Sequence, residues 1–294
     1  MLNSVHRFLD LFQKLGRRAI LLDNILWVIY QRMIVPEGPV SCDYVAASDR
    51  HRDVLLRHFK ECALIRAGSG FVSAPDSWYC VLCDRPIELS VLSAKRRWEV
   101  KRGLKNCTVR RVDATFMARH AWPVIASALG GYQNSRPEVS EGQFRRTMTI
   151  TEEFGDIIHY WGVFENETGR LIAYTQNYLY DKVEVNYCVI KFHPDFLSLY
   201  PSYALFSEMN RYYLNEQKFS YVNNGFRSLL HQTHIEEFLI KKFSFKKQPV
   251  GLKVHYRPFV GKCVSATFPF RHLLGRMNRS LAALYKLEEI NRGQ

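Results

Sequence analysis

The 294-residue chain has no uninterrupted run of about eighteen apolar residues, the length that crosses a bilayer as a helix. Its nearest approach, AILLDNILWVIYQRMIV from Ala19 to Val35, is interrupted by Asp23, Asn24, Gln31 and Arg32, so no transmembrane helix is expected. No secretory leader is expected either, because MLNSVHRFLDLFQKLGRR lacks a continuous apolar centre and a cleavage site. Val5, Phe8, Leu9, Phe12 and Leu15 instead recur at helical spacing, which predicts an amphipathic helix packed on its own domain or lying on a membrane surface. Cysteine is not organised into a framework: seven residues, an odd number, are scattered along the chain, as in a reduced cytoplasmic protein. Cys80 and Cys83 make a CxxC in SWYCVLCDRP, but the second pair of a closed zinc site is missing and no metal is expected. The sequons at Asn106, Asn166 and Asn278 have no meaning without secretion.

Acidic residues are scarce in two places. Lys95, Arg96, Arg97, Lys101, Arg102, Lys105, Arg110 and Arg111 have Glu99 as the single acid among them. From Lys241 onward, twelve basic residues face only Glu288 and Glu289. The formal charge of +13 is therefore local, and the remainder of the chain is net acidic. Such a field suits polyanions, including nucleotide phosphates, RNA and anionic lipid headgroups, or else marks a solvated basic face. Hydrophobic residues make up 47% of the chain, enough for an ordinary buried core.

From Cys107 to Phe259 the pattern reads element by element. CTVRRV alternates like a strand, ATFMARHAWPVIASAL comes next as a helix interrupted by Pro123, and SEGQFRRTMTITEEF is a second helix with Ser140 as N-cap. DIIHYWGVFE, RLIAYTQNYLY and VEVNYCVIKF form an antiparallel meander, turning at NETG and at Asp181 and Lys182. Pro201 opens a helix whose apolar stripe is Leu205, Phe206, Met209, Tyr212 and Tyr213. SYVNNGF is a short strand. A helix from Ile235 to Phe243 comes after it, with a capping box between Thr233 and Glu236, and then a strand pair around VGLKVHYRPF. RHLLGRMNRSLAALYKLEEINRGQ reads as a C-terminal amphipathic helix whose first turns Gly275 weakens.

This β-α-α-β-β-β-α-β-α-β order resembles the GNAT acyltransferase fold over about 150 residues. SAKRRWEVKRGLKNCTVRRV and EEFLIKKFSFKKQPVGL are similar to the helix-to-strand passage and the closing segment of the Fem-type peptidoglycan aminoacyltransferases, which are built from two GNAT-like domains. The resemblance implies an α/β protein with a mixed, mainly antiparallel sheet flanked by helices. Residues 1–106 would be a shortened GNAT-like copy with strands at ILWVIYQRMIV and SWYCVLCD. Residues 107–262 would be the acyltransferase domain and 263–294 a helical extension.

For chemistry, the resemblance implies acyl or aminoacyl transfer from acyl-CoA or aminoacyl-tRNA to an amine or hydroxyl of a small molecule or cell-envelope precursor. The GNAT pyrophosphate loop corresponds to HPDFLSLYPSYALF, which contains no glycine; there the backbone amides of Ser202, Tyr203 and Ala204 are the candidates for holding an anion. Transfer in this fold takes place where the fourth and fifth strands splay, which brings Asn223, Asn224, Arg227, Ser228, His231 and His234 to the mouth of the cleft. The attacking group must lose a proton and the tetrahedral oxyanion needs donors. His231 or Glu184 is the candidate base, and Arg227, Asn223 or the Tyr187 hydroxyl the candidate donor. By the two-residue period Glu184 and Tyr187 stand on opposite strand faces. The competing reading is an inactive GNAT-like protein that binds RNA or an anionic partner through its basic surface, and a third places the transferase on a membrane surface.

Overall fold

A computed structural model describes residues 4–73, 78–86, 88–130, 140–229 and 234–293. They form two compact units: residues 1–81, 226–240 and 246–294 make the first, and residues 82–225 and 241–245 the second. The boundaries expected from the sequence, 106 and 262, are drawn differently from these, and the physical reason is visible in the packing of each unit.

In the first unit, α1 (Ser4–Lys14) buries Val5, Phe8, Leu11 and Phe12, so its apolar face is spent inside the unit rather than on a membrane. Next come β1 (Ala19–Leu22), β2 (Ile25–Tyr30) and β3 (Met33–Glu37), two successive antiparallel hairpins. The expected single strand ILWVIYQRMIV is thus two. Gln31 and Arg32 turn the chain within it, and Asp23 and Asn24 turn it just before; all four have positive φ, between 48° and 62°, the pairing that a two-residue turn matched to strand twist requires. α2 (Val45–His58) crosses over to β4 (Leu64–Phe71), which lies parallel to β3, and β5 (Tyr79–Cys83) comes after it.

In the second unit, α3 (Ala94–Asn106) leads into β6 (Cys107–Val112), succeeded by α4 (Ala114–His120), α5 (Trp122–Gly130) and α6 (Glu141–Thr151). The expected helix over ATFMARHAWPVIASAL is two, because Pro123 fits the first turn of a new helix and not the interior of an old one. Ser140 caps α6 in a reciprocal capping box with Gln143. The meander is β7 (Ile158–Glu165), β8 (Leu171–Tyr180) and β9 (Glu184–Phe192), succeeded by α7 (Pro201–Asn210), which runs into a π-helical turn at Arg211–Glu216, and by β10 (Tyr221–Phe226). The strand order here is β10-β9-β8-β7-β6. Helix α3 joins this unit by packing on α7 and β6, so the boundary falls before it.

The chain then enters α8 (His234–Phe243), whose first turns belong to the first unit and whose last residues belong to the second, where Phe243 meets Phe206 and the Lys242 ammonium reaches Glu99 at 2.8 Å. Thr233, the expected capping residue, lies outside the described residues, as does His231. The expected strand pair is a single strand, β11 (Lys246–Tyr256), antiparallel to β4 and bulged between Val250 and Leu252. In the first unit the strand order is β1-β2-β3-β4-β11-β5. α9 (Pro258–Thr267), α10 (Arg271–Met277) and α11 (Arg279–Asn291) close the chain. The expected continuous C-terminal helix breaks at Asn278, whose extended backbone and side-chain bonds to the Ser280 and Leu281 amides start α11 afresh.

One face of the first unit's sheet packs Trp27, Ile34 and Ile65 against Leu55 and Phe59 of the α2 segment. On the other face Leu64 and Val254 pack with Leu287 of α11, so the C-terminal helix contributes to this core. The Arg257 guanidinium ties α2 down by donating to the carbonyls of Leu56, Phe59 and Cys62. No disulfide forms among the seven cysteines. Among the described residues no helix is long and apolar enough to cross a membrane.

Candidate active site

Within the second unit, β9 and β10 run parallel, and their pairing is short. Glu184 faces Tyr221, Val185 faces Val222 and Asn186 faces Asn223, and there the ladder stops although β9 continues to Phe192 and β10 to Phe226. Two parallel strands that pair at their starts and not beyond leave a gap at their ends. β9 is also bulged: its register against β8 slips between Gln176 and Asn177, so that Tyr187 and Cys188 share one position. A bulge bends a strand and re-aims the residues beyond it, and by this means β9 leaves β10.

The closed end of this gap is a polar cluster. Glu184 is fully buried; one carboxylate oxygen accepts the Tyr221 hydroxyl at 2.8 Å and the other the Asn223 side-chain amide at 3.0 Å. The Asn223 carbonyl oxygen accepts the Gly225 amide at 2.8 Å, and Gly225 takes φ 89°, where a Cβ would be strained. Glu184 therefore sets Asn223, and Asn223 sets the backbone of the strand end that diverges. Asn224 and Gly225 are half-buried at the open end, and on the facing strand Cys188 is exposed while Val189, Ile190, Lys191 and Phe192 are half-buried.

The opposite face of the same strands looks onto α7, and Tyr187 is placed there. It is buried, its hydroxyl donates to Asn210 at 2.7 Å, and burial holds its proton well above the usual phenol range. Tyr187 and Glu184 are thus on separate faces, as the strand period predicts. Beside Tyr187, the Tyr213 hydroxyl accepts from Trp161 at 2.9 Å and from Asn177 at 3.2 Å, and gives its own proton to His159 Nδ1 at 3.1 Å. Burial, reinforced by Arg111 and Lys182, pushes His159 down to about 3, so the imidazole is neutral in this network.

At the start of α7, Tyr200 sits in the left-handed region and Pro201 has no amide hydrogen. The Tyr203 and Ala204 amides both reach the Tyr200 carbonyl, at 3.1 and 3.3 Å, so of the three expected anion-binding amides Ser202 alone stands outside these bonds. The approach is also narrowed from the side by Gly103 of α3, where a Cβ would come within 2.6 Å of the Tyr200 oxygen.

Arg227, the other expected donor, lies in the first unit directly after β10; its amide donates to the Tyr79 carbonyl and its guanidinium stacks over the Tyr79 ring at 5.4 Å. His234 is exposed at the start of α8. The structure thus brings Glu184 and Asn223 together, separates Tyr187 from them by the thickness of the sheet, and adds Tyr221. Period-two alternation already puts Tyr221 and Asn223 on one face; the parallel register that aligns them with Glu184 is a tertiary fact.

A cavity of about 380 Å³ lies elsewhere, lined by Arg110, Asp113, Phe116, Glu152 and Tyr160 among others. β6, which carries Arg110, is separated from β9 by β7 and β8, roughly 14 Å at the usual strand spacing, so this cavity is not the gap. Among the described residues no group of three or more His, Cys, Asp or Glu side chains is placed to hold a metal.

No protein-family model matches the chain, and no curated protein matches it in sequence. In three dimensions it is similar to the C-terminal DUF2156 domain of a candidate lysylphosphatidylglycerol synthetase from Agrobacterium fabrum, at 14% identity and a TM-score of 0.54, over 90% of this chain and 91% of that one. It is likewise similar to FemX, at 9% identity and a TM-score of 0.53, over 82% of this chain and 88% of that one. At such identities the likeness is one of fold: the mixed, mainly antiparallel α/β architecture is shared along most of each chain.

Proposed function

We propose that the protein is an acyltransferase of GNAT type, moving an acyl or aminoacyl group from an activated donor to an amine or hydroxyl of a small molecule or cell-envelope precursor. The observation that carries this reading is the β9–β10 ladder ending at Asn186 and Asn223, which supplies a gap in which a carbonyl and a nucleophile can meet. In the proposed step the nucleophile's oxygen or nitrogen bonds to the acyl carbon and the bond to the donor's leaving atom breaks. The proton lost by the nucleophile ends on the leaving group. Asn224, half-buried at the open strand end, is the donor toward the oxyanion, and Asn223 and Glu184 act as positioning residues, since the Asn223 side chain is engaged by Glu184 and Gly225 and both Glu184 oxygens are engaged. Arg227 and His231, next along the chain, complete the candidate set.

Aminoacyl-tRNA is favoured over acyl-CoA as donor. Two of the three amides at the α7 start are already bonded to Tyr200, and no glycine opens the loop for a pyrophosphate. The experiment is a transfer assay with labelled aminoacyl-tRNA and, separately, acyl-CoA, against amine and hydroxyl acceptors. Label transfer that falls in Asn223→Ala supports the proposal; no transfer from any donor ends it.

A second reading, an inactive protein binding RNA or another anionic partner, is favoured by one surface. Helix α3 exposes Lys95, Lys101, Arg102 and Lys105, and the Arg102 guanidinium stands 5.2 Å from the half-exposed Trp98 ring and 5.5 Å from Tyr200. RNA binding that weakens steeply with salt, without transfer, is the outcome that selects it.

A further inference from the structure

Helix α10 and Phe270, the residue that caps its start, display three large apolar side chains outward. Phe270, Leu273 and Met277 are three and four positions apart, which aligns them on one stripe, and they are 63%, 63% and 77% exposed. The helix cannot roll to hide them, because its other side is committed. Arg271 donates to Glu289 of α11 at 2.8 Å, and Gly275 packs on Ala282, where a Cβ would meet the Ala282 Cα at 3.4 Å. His272, Arg276 and Arg279 are exposed beside the stripe.

Acid is scarce along this part of the chain, so the local field is positive. From Arg257 to Leu287 there is no acidic residue, and the two that come next are both engaged: Glu288 with Arg292, and Glu289 with Arg271 and Lys286.

We propose that this face of α10 docks the protein on an anionic lipid bilayer. Phe270, Leu273 and Met277 enter the boundary between headgroups and acyl chains, while Arg276 and Arg279 stay at the level of the lipid phosphates. Leu273 and Met277 have no flat ring on which a base would stack, so the face does not have the chemistry of a nucleic-acid platform. A second copy of the same face would set like-charged arginines against each other across a two-fold axis. Docking goes beyond the transfer reaction and does not rest on it.

The test is co-sedimentation of the full chain with vesicles of phosphatidylcholine alone and with phosphatidylglycerol added. Retention on the phosphatidylglycerol vesicles is expected. It should weaken about fivefold for each arginine replaced in Arg276→Gln and Arg279→Gln. The triple variant Phe270→Ser, Leu273→Ser, Met277→Ser should abolish it while circular dichroism shows an intact fold. The proposal is overturned if neither vesicle retains the protein, or if the serine variant binds like the parent. It is equally overturned if the serine variant only converts a dimer to a monomer in ultracentrifugation, or if RNA is bound through this face and vesicles are not. None of these readouts involves acyl transfer, so failure here is separable from failure of the transferase proposal.

Discussion

The Cα of Gly103 in α3 lies directly against the carbonyl of Tyr200 at the start of α7: an added Cβ would stand 2.6 Å from that oxygen and 3.1 Å from the Ala204 amide nitrogen. Both obstacles are backbone, which cannot swing aside. Gly103→Ala is therefore expected to push α3 off α7 and to destabilise the protein by about 1–3 kcal/mol, against the helix propensity that alanine ordinarily adds. Denaturant melts of the two proteins decide this, and a more stable alanine variant would refute the close packing.

Glu184 closes the gap between β9 and β10, accepting from both Tyr221 and Asn223 while fully buried. Glu184→Ala leaves two buried donors without their acceptor and is expected to cost about 2–5 kcal/mol. Glu184→Gln, which keeps the shape and one acceptor, should cost less. If the transferase reading holds, the glutamine variant should fold, bind donor normally and lose turnover through the misplaced Asn223. Unchanged kcat in a folded Glu184→Gln protein would remove the cluster from the mechanism.

The neutral His159 in the Tyr213 network ties stability to pH. Its folded value is depressed to about 3 from an ordinary 6.5, with burial as the main cause and Arg111 and Lys182 adding to it. Below pH 6.5 the unfolded chain binds a proton that the folded chain refuses until near pH 3, so the contribution is fully present above 6.5 and is lost as pH falls through that window. The loss amounts to as much as about 5 kcal/mol at the acid end. His159→Gln, which keeps an acceptor and does not titrate, should flatten the slope of unfolding free energy between these values. An unaltered slope would show that other groups carry it.

The hairpin turn at Gln31 and Arg32 places two side-chain-bearing residues at φ 49° and 62°. Asparagine and glycine occupy such turns at lower cost, so Gln31→Asn with Arg32→Gly is expected to raise stability by roughly 0.5–1 kcal/mol. A lower melting temperature would mean that the native side chains contribute contacts outweighing the strain.

If the donor is aminoacyl-tRNA, coenzyme A and acetyl-CoA should leave the melting temperature unchanged, while uncharged tRNA should raise it in low salt. A saturable shift with acetyl-CoA would reverse the donor assignment and require the Tyr200 bonds to open.

Much of the second unit was legible from residue pattern. Alternation marked β6, the turns at NETG and at Asp181 and Lys182 bounded β7 to β9, Pro201 and Ser140 marked helix starts, and the stripe of Leu205, Phe206, Met209, Tyr212 and Tyr213 marked the inner side of α7 and its π turn, all of it buried except the half-buried Tyr212. These signals are local, because a period of two or 3.6 residues and a cap's chemistry are written within a few positions. Asp23, Asn24, Gln31 and Arg32 were legible as interruptions of an apolar stretch, though not as two turns, since nothing nearby states that the chain reverses.

Long-range contact settled the rest. That Glu184 meets Tyr221 and Asn223, that β9 leaves β10 after three pairs, and that Gly103 fills the space before α7 are relations between segments far apart in the chain, fixed by strand register and close packing. The same applies to the C-terminal residues: their amphipathic spacing was evident, but which apolar side chains α11 would bury and which α10 would leave exposed was chosen by the sheet they pack against. Local pattern records what a segment can form, whereas burial and charge pairing depend on neighbours that only the folded chain supplies.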